Sequence, residues 1–306
     1  MVSMMAFSSV KYSGVMTSRS HLRVKAMEGE AIESSHKTAV DLPFRLATWN
    51  VRTMMRAGKL ENLKRKMNKC KVGVVGLSEV RWQGQGETKS NGFTMYHSGG
   101  DKSERGGAVM VRNKSVRSVL NVNCLSDRLM SVKMKAEPVD VMVVQVYMPT
   151  SSHDEAQVEQ IYEQIDEMLY QEGKGKVNVV IMGDFNAIVG KGSEKKIVGK
   201  YGLGRRNDRG NMLIDFCRRN NLMITNTRFK NRKTKLYTWK SPGDSERYQI
   251  DYIIVKNRFR NSVKDVKTFP GADIDSDHNL FTAVLETKLK NMRKTGNKDR
   301  DGIWKT

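Results

Sequence analysis

From Phe44 onward the chain is a succession of short apolar runs, rich in β-branched residues, many of which stop abruptly at a polar side chain. Runs of that length and composition read as buried strands. They are Arg45–Val51, Val72–Leu77, Phe93–His97, Ala108–Arg112, Val116–Val122, Leu129–Lys135 and Val141–Tyr147, then Val177–Gly183, Met223–Asn226, Tyr237–Trp239, Ile250–Val255, Val263–Thr268 and Leu280–Leu285. Helical stretches are few: Leu60–Cys70, His153–Gln171 and Asp208–Asn220. In the middle one, Val158, Ile161, Ile165, Met168 and Leu169 recur at three- and four-residue spacing and share a face. A purely parallel sheet needs a crossover helix between successive strands. Here neighbouring runs are often joined by short polar turns such as Ser98–Arg105, so the expectation is an α/β fold of mixed sheets packed face to face with helices outside.

The ends of the chain lack this rhythm. Residues 1–43 are rich in Ser and Met without a period and are expected to be disordered. The folded domain is placed at 44–288, with a basic tail over 289–306. No apolar run approaches the roughly 20 residues a membrane helix needs, so no membrane span is expected. The cysteines Cys70, Cys124 and Cys217 form no CxxC pair and read as reduced thiols of an intracellular protein rather than a zinc site. Charge is the informative part of the composition. Lys and Arg total 54 against 33 Asp and Glu, a net charge of +21. A surplus that large points to a polyanionic partner, nucleic acid before an acidic membrane.

Chemistry concentrates where strands end. Asn50 closes Arg45–Trp49, Glu79 follows Val72–Leu77, Tyr147 closes Val141–Val146, and Asp184 and Asn186 follow Val179–Gly183. Strand ends on a rigid sheet are where α/β folds place ligands. Each residue alone has an ordinary reading: an Asx-turn for Asp184, a solvated strand end for Glu79, a half-buried ring for Tyr147. Together they read as one shared mouth. The sequence Ser276–Asp277–His278 marks another strand start, and the separate Asp251 is a carboxylate that can orient that histidine.

Thr48–Trp49–Asn50–Val51, Leu77–Ser78–Glu79, Val146–Tyr147–Met148–Pro149, Gly183–Asp184–Phe185–Asn186, Ile250–Asp251–Tyr252 and Ser276–Asp277–His278 occur in the order of the endonuclease/exonuclease/phosphatase superfamily. The resemblance covers roughly Phe44 to Lys288. The segments Tyr237–Pro242, Gln249–Ile253 and Pro270–Asp273 further resemble the endonuclease of RTE/BovB-type non-LTR retrotransposons. The resemblance implies a four-layer α/β sandwich, two packed mixed β-sheets flanked by helices, and a Mg²⁺-dependent phosphodiesterase, with Mn²⁺ as a substitute metal. It implies Glu79 as the principal metal ligand with Asn50 and Asp277 nearby. Asp184 would activate water, Asn186 and Tyr147 would hold the phosphate, and His278, oriented by Asp251, would stabilise transition-state charge.

Two positions depart from relatives. Arg52 stands where apurinic endonucleases carry aspartate, which counts against abasic-site repair and a second metal, and Thr150 stands where many relatives have Asn. No Tyr-x-Asp-Asp reverse-transcriptase motif follows. The expectation is a monomeric DNA endonuclease in the nucleus. Its alternatives are a catalytically silent nucleic-acid-binding protein and a phosphatase of inositol phosphates or lipids. The basic segment Arg228–Lys235 is expected to be a hairpin turn beside the mouth, with Arg228, Lys230, Arg232 and Lys233, and Trp239 beyond it, on nucleic acid.

Overall fold

The computed structural model describes residues 44–172 and 176–292; the expected disorder at 1–43 and most of the expected tail lie outside them. Thirteen of the strands build two large sheets. The first, in spatial order, is Val263–Phe269, Leu280–Leu285, Phe44–Asn50, Val74–Ser78, Gly107–Arg112, Phe93–Ser98 and Gln85–Ser90. The second is Leu222–Ile224, Asp251–Lys256, Val177–Asp184, Asp140–Tyr147, Leu129–Met134 and Val119–Cys124. Each sheet has a parallel pair, Phe44–Asn50 with Val74–Ser78 and Asp140–Tyr147 with Val177–Asp184, among antiparallel neighbours. The mixed α/β architecture expected from the sequence is therefore present.

Period-two alternation explains why the strands read as unbroken apolar runs. Leu46, Val74, Val109, Val143, Val180, Ile253 and Ala283 point into a core between the sheets. Their neighbours Ala47, Trp49, Val75 and Leu77 point outward, against Leu63 and Met67 of the helix Lys59–Lys69. On the other side Val144, Val146, Ile181 and Ile254 meet Ile161 and Ile165 of the helix Glu155–Gln171 and Leu213 and Phe216 of the helix Asp208–Arg219. Asp154 and Asn207 cap these two helices by accepting from Ala156 N and Gly210 N. Three apolar layers between helix, sheet, sheet and helices make a four-layer sandwich.

Differences from the sequence expectation are local. Gln85–Ser90 is an edge strand too polar to show as an apolar run. The run expected at Val116–Val122 is a helical turn, Asn113–Val116, followed by a strand at Val119–Cys124. Tyr237–Trp239 contributes only Trp239–Lys240, which pairs with Arg247–Tyr248 in a separate small hairpin. Backbone pairing also continues past Lys288: Lys288–Leu289 pairs with Ala136–Glu137, and Leu289 is buried. Among the described residues no helix is long and apolar enough to cross a membrane.

One glycine limits the geometry of the strand that ends in Asp184. Gly183 has φ +153°, and a Cβ there would lie 1.9 Å from the carbonyl oxygen of Val146 on the neighbouring strand. Backbone cannot yield as a side chain can. Gly183→Ala is expected to lower stability by about 2–4 kcal/mol through combined strain and overpacking. Urea unfolding checks this; a loss under about 0.5 kcal/mol, the level of a neutral surface change, would refute the argument.

Candidate functional site

The inward-facing rows change chemistry at one end of the sandwich. Along Phe44–Asn50 the row is Leu46, Thr48, Asn50; along Val74–Ser78 it is Val74, Gly76, Ser78. Along Asp140–Tyr147 it is Val141, Val143, Gln145, Tyr147, and along Val177–Asp184 it ends Val180, Met182, Asp184. The antiparallel Asp251–Lys256 starts at Asp251. Register sets Asp184 directly opposite both Tyr147 and Asp251, and Asn50 opposite Ser78. The polar mouth is thus the end of the inter-sheet core. Gln145 floors it: its Nε2 donates to Ser78 Oγ at 2.9 Å, and Gly76 leaves the space its side chain occupies.

Hydrogen bonds cross from sheet to sheet here. Asn50 Nδ2 donates to Glu79 Oε1 at 2.9 Å and to Asp184 Oδ2 at 3.0 Å. The Tyr147 hydroxyl donates to Glu79 Oε1 at 3.1 Å. His278 Nδ1 lies 2.9 Å from Asp251 Oδ2, and its Nε2 stands 3.9 Å from Asp184 Oδ2, beyond hydrogen-bond distance. His278 is fixed from behind. Trp49 Nε1 donates to its carbonyl, and Ser276 Oγ both accepts from His278 N and donates to Asn50 O. Asn186 donates through Nδ2 to Met148 O at 2.9 Å, which leaves it a second amide N–H.

The expected residues Asn50, Glu79, Tyr147, Asp184, Asp251 and His278 therefore come together, with Asn186 at the rim. Asp277 sits beside them, its Oδ2 taking the indole N–H of Trp239 at 3.0 Å and its Oδ1 3.7 Å from Arg52 Nε. Trp239 stacks on Tyr248 and tilts toward His278, so it does stand at the mouth. Arg228, Lys230, Arg232 and Lys233 are placed differently. No hairpin joins Leu222–Ile224 to Trp239–Lys240, because those strands belong to different sheets. Arg228 lies near Met223 and Val263, and register puts both with Val255 and Leu285 at the opposite end of the strands from the mouth. Phe229, next to Arg228 in that segment, is half-buried and packs on the inter-sheet core. Sequence reasoning missed Arg81, whose guanidinium donates to Glu79 Oε2 at 3.0 Å, and Arg128, which lies over the Tyr147 ring at 5.1 Å. Arg81's place two residues after Glu79 was the available signal; Arg128 had none.

Electrostatics follow from burial. Asp184, 2% exposed, is pushed up to about 7, first by desolvation and then by the Asp251 charge, against the pull of His278 and Asn50. Burial works to lower His278, but the charge and hydrogen bond of Asp251, with Asp184 and Asp277 behind, outweigh it and raise the ring to about 9. Carboxylate and imidazolium thus coexist between those two values. Tyr147 is pushed well above an ordinary phenol by burial and by Glu79 and Asp184, so it remains a donor.

The donor set is rich in oxygen, as a hard divalent cation requires. Among the described residues two buried carboxylate oxygens, Asp251 Oδ1 and Asp277 Oδ1, have no hydrogen-bond partner, so acceptor capacity remains for a cation. Ligand atoms of Asp184, Asp251 and His278 lie within 4.8 Å of one another. A ring held protonated is a poor ligand, however, which favours the Glu79 side of the mouth. Asn50, expected there as a ligand, turns Nδ2 toward Glu79, while its Oδ1 accepts from Arg52 N at 3.0 Å. In this arrangement it serves the carboxylates as a donor.

Residues 47–278 match the Endonuclease/Exonuclease/phosphatase family. "Craniofacial development protein 2" of Bos taurus is 42% identical over 252 residues, covering 82% of this chain and 42% of that protein. The chain thus spans less than half the length of that relative. Among solved structures, the endonuclease domain of TRAS1, a telomere-specific non-LTR retrotransposon, superposes with TM-score 0.58 at 15% identity, over 80% of this chain and 99% of that one. The 3′ phosphatase NExo from Neisseria bound to product DNA hairpin gives 0.60 at 17% identity, over 79% and 99%. The chain belongs to the endonuclease/exonuclease/phosphatase family, a family of hydrolases.

The raised pKa of His278 has a definite sign. Its contribution to stability is complete below the ordinary value of 6.5 and is lost as pH rises through about 9. Proton NMR of His278 in chelator is expected to show that titration. Asp251→Asn is expected to bring it below about 7, since the partner that holds the proton is gone. A wild-type midpoint already below that value would overturn this electrostatic picture.

Proposed function

Within that family, we propose that the chain is a divalent-metal-dependent DNA endonuclease that nicks duplex DNA to 3′-hydroxyl and 5′-phosphate ends, and that it derives from an RTE/BovB-type retroelement. The observation that carries the reading is the pair His278 and Asp184. An imidazolium oriented by Asp251 faces a carboxylate whose pKa is about 7, across a gap too long for a direct bond. That is the spacing and protonation needed to hold a phosphate oxygen on one side and take a proton from water on the other.

Asp184 accepts the proton of the attacking water, and a pKa raised to about 7 makes it a stronger base than an ordinary carboxylate while leaving it ionised just above neutral pH. The Tyr147 hydroxyl, turned from Glu79 when that carboxylate takes up the cation, would donate to the scissile phosphate together with the second amide N–H of Asn186. The His278 ring donates from Nε2 to the oxygen on which charge grows, while Asp251 fixes its orientation. Asn50 holds Glu79 and Asp184 at one spacing. A cation held by Glu79 with Asp277 beside it supplies, when bound, charge neutralisation at the phosphate and the departing oxygen; Mg²⁺ is the proposed ion and Mn²⁺ its substitute. The net charge of +21 suits a polyanionic substrate over a small neutral one. The resemblance of the Tyr237–Pro242 and Gln249–Ile253 segments supports the retroelement assignment. Action as a monomer in the nucleus is part of the proposal.

Supercoiled plasmid is expected to be nicked with Mg²⁺ and left intact with EDTA. Glu79→Ala, Asp184→Ala and His278→Ala are each expected to cut the rate by about 10²-fold or more while the variants remain folded. Equal activity in all three variants would sink this site assignment. An intact plasmid that is nonetheless bound would favour the silent binding protein, and release of phosphate from inositol phosphates alone would favour the phosphatase.

A further inference from the structure

Among the cations at the mouth, Arg81 is paired with the carboxylate on which the proposed metal depends. Its Nη2 donates to Glu79 Oε2 at 3.0 Å, while Glu79 Oε1 takes the Asn50 amide and the Tyr147 hydroxyl. Both Glu79 oxygens are thus engaged, and a divalent cation, which bonds its oxygens directly, must displace a donor to reach one. Asn50 is buried and tied to Asp184 and to Arg52 N as well, so it stays. Arg128 is buried too, fixed over the Tyr147 ring and to the Tyr147 carbonyl. The Arg81 side chain is 41% exposed, and among the described residues its guanidinium has Glu79 as its anchor.

That contact is one that can yield. A guanidinium beside a carboxylate commonly forms two parallel bonds. Here a single bond is formed, and Arg81 Nε is buried with no acceptor among the described residues, an unfavourable state for a donor. The backbone beneath is fixed by contrast. Val80 N donates to Gly106 O at 3.1 Å and Arg81 N to Arg105 O at 2.7 Å. These bonds pin a turn in which Glu79 and Arg81 sit at φ +56° and +60°, left-handed conformations that residues with a side chain rarely adopt. The turn aims both side chains at the mouth, and from it the long Arg81 side chain is free to swing.

We infer that Arg81 is a phosphate-binding residue held in reserve: it neutralises Glu79 while no cation is bound, and a cation that takes Glu79 releases it onto the phosphate held at the mouth. Mg²⁺ bonds each oxygen at about 2.1 Å, so a phosphate oxygen on the cation lies within about 4 Å of the Glu79 oxygen that bonds it. The guanidinium already stands 3.0 Å from Glu79, so a change of rotamer carries it from carboxylate to phosphate. The exchange leaves no charge unanswered. Glu79 passes from guanidinium to cation, and the guanidinium passes from one bond on a carboxylate to the two that a phosphate accepts from its planar fork. Two consequences follow from linkage: Arg81 competes with the cation when DNA is absent, and it makes cation and DNA binding reinforce each other when both are present. The second consequence rests on the nucleic-acid reading proposed above; the first does not.

The test has two arms, both on binding rather than turnover, with circular dichroism to confirm that each variant is folded. In the first, Mn²⁺ is titrated without DNA and followed by electron paramagnetic resonance. Arg81→Gln is expected to bind Mn²⁺ about 3-fold more tightly than wild type, because a half-exposed ion pair no longer has to open. Arg81→Lys, which keeps the competing charge, is expected to stay near wild type. In the second arm, affinity for a labelled duplex is measured by fluorescence anisotropy in EDTA and in saturating Ca²⁺, with recovery of uncut DNA as the control. Wild type and Arg81→Gln gain the same two charges from Ca²⁺, so mere neutralisation of Glu79 by Arg81 gives wild type no larger gain in affinity than the variant. A freed guanidinium is expected to make the wild-type gain larger by about 5-fold or more, the effect of a hydrogen bond to a charged group. Mn²⁺ binding by Arg81→Gln no tighter than wild type, or a Ca²⁺-linked gain as large in Arg81→Gln as in wild type, would overturn the inference. Either result alongside plasmid nicking by wild type would leave the endonuclease reading standing, whereas wild type that binds no DNA in Ca²⁺ would overturn both.

Discussion

Two sheets that pack through Leu46, Val74, Val143, Val180 and Ile253 must end somewhere, and where they end the contact becomes polar. Asn50 and Glu79 come from one sheet, Tyr147 and Asp184 from the other; Asn50 bonds Glu79 within its own sheet, while its bond to Asp184 and that of Tyr147 to Glu79 cross between sheets. His278 and Asp251 repeat the crossing. These are buried groups, and a buried charge without partners is destabilising by several kcal/mol. The arrangement is tolerable because the carboxylates are answered locally: Glu79 by Arg81, Asp251 by the imidazolium, Asp184 by Asn50 and the backbone N–H of Asn186. Removing one member leaves another unpaired, so the clasp stands or falls as a group.

Register makes the clasp possible. Because side chains alternate, a strand whose inward residues are apolar along most of its length can deliver a polar inward residue at its last position without disturbing the core. Asp184 does so two residues after Met182, and Tyr147 two residues after Gln145. A one-residue slip between Asp140–Tyr147 and Val177–Asp184 would turn Asp184 toward the helices and separate it from Tyr147. Gly183 allows close approach at that step, and Gln145 with Ser78 and Thr48 forms a neutral polar layer between hydrocarbon below and charge above.

Much of this was legible in the sequence. The central strands announce themselves because both their faces are buried, which produces unbroken apolar runs such as Val141–Val144. The polar edge strand Gln85–Ser90 does not, since only one side of it pairs. The residues of the mouth were legible because each stands where a run stops. Arg81 and Arg128 were not, because their roles arise from contacts made after the chain has folded back: Arg81 through left-handed conformations at Glu79 and at itself, Arg128 through the pairing of Leu129–Met134 with Asp140–Tyr147. The basic segment was misplaced for a related reason. Lys and Arg content reveals charge but not sheet membership, and Leu222–Ile224 pairs with Asp251–Lys256 rather than with the strand that follows it in sequence.

Asp184 closes a turn and faces the mouth at once, and it does so with different atoms. Asp184 Oδ1 accepts from the backbone N–H two residues on, at Asn186, while Oδ2 faces Asn50 and His278. Asn50 divides itself the same way, Oδ1 to Arg52 N and Nδ2 to the carboxylates, and Ser276 accepts from His278 N while donating to Asn50 O. Each turn follows a strand end or precedes a strand start. Arg52 and Asn186, which donate into two of these turns, sit at φ +58° and +47°, conformations unfavourable for residues with a side chain. The accepting side chain stabilises that backbone, and the backbone N–H in return fixes which oxygen points into the mouth. Short polar residues are therefore needed here twice over: a longer carboxylate at position 184 would reach the mouth but could not close the turn in the same way, and an apolar residue would do neither.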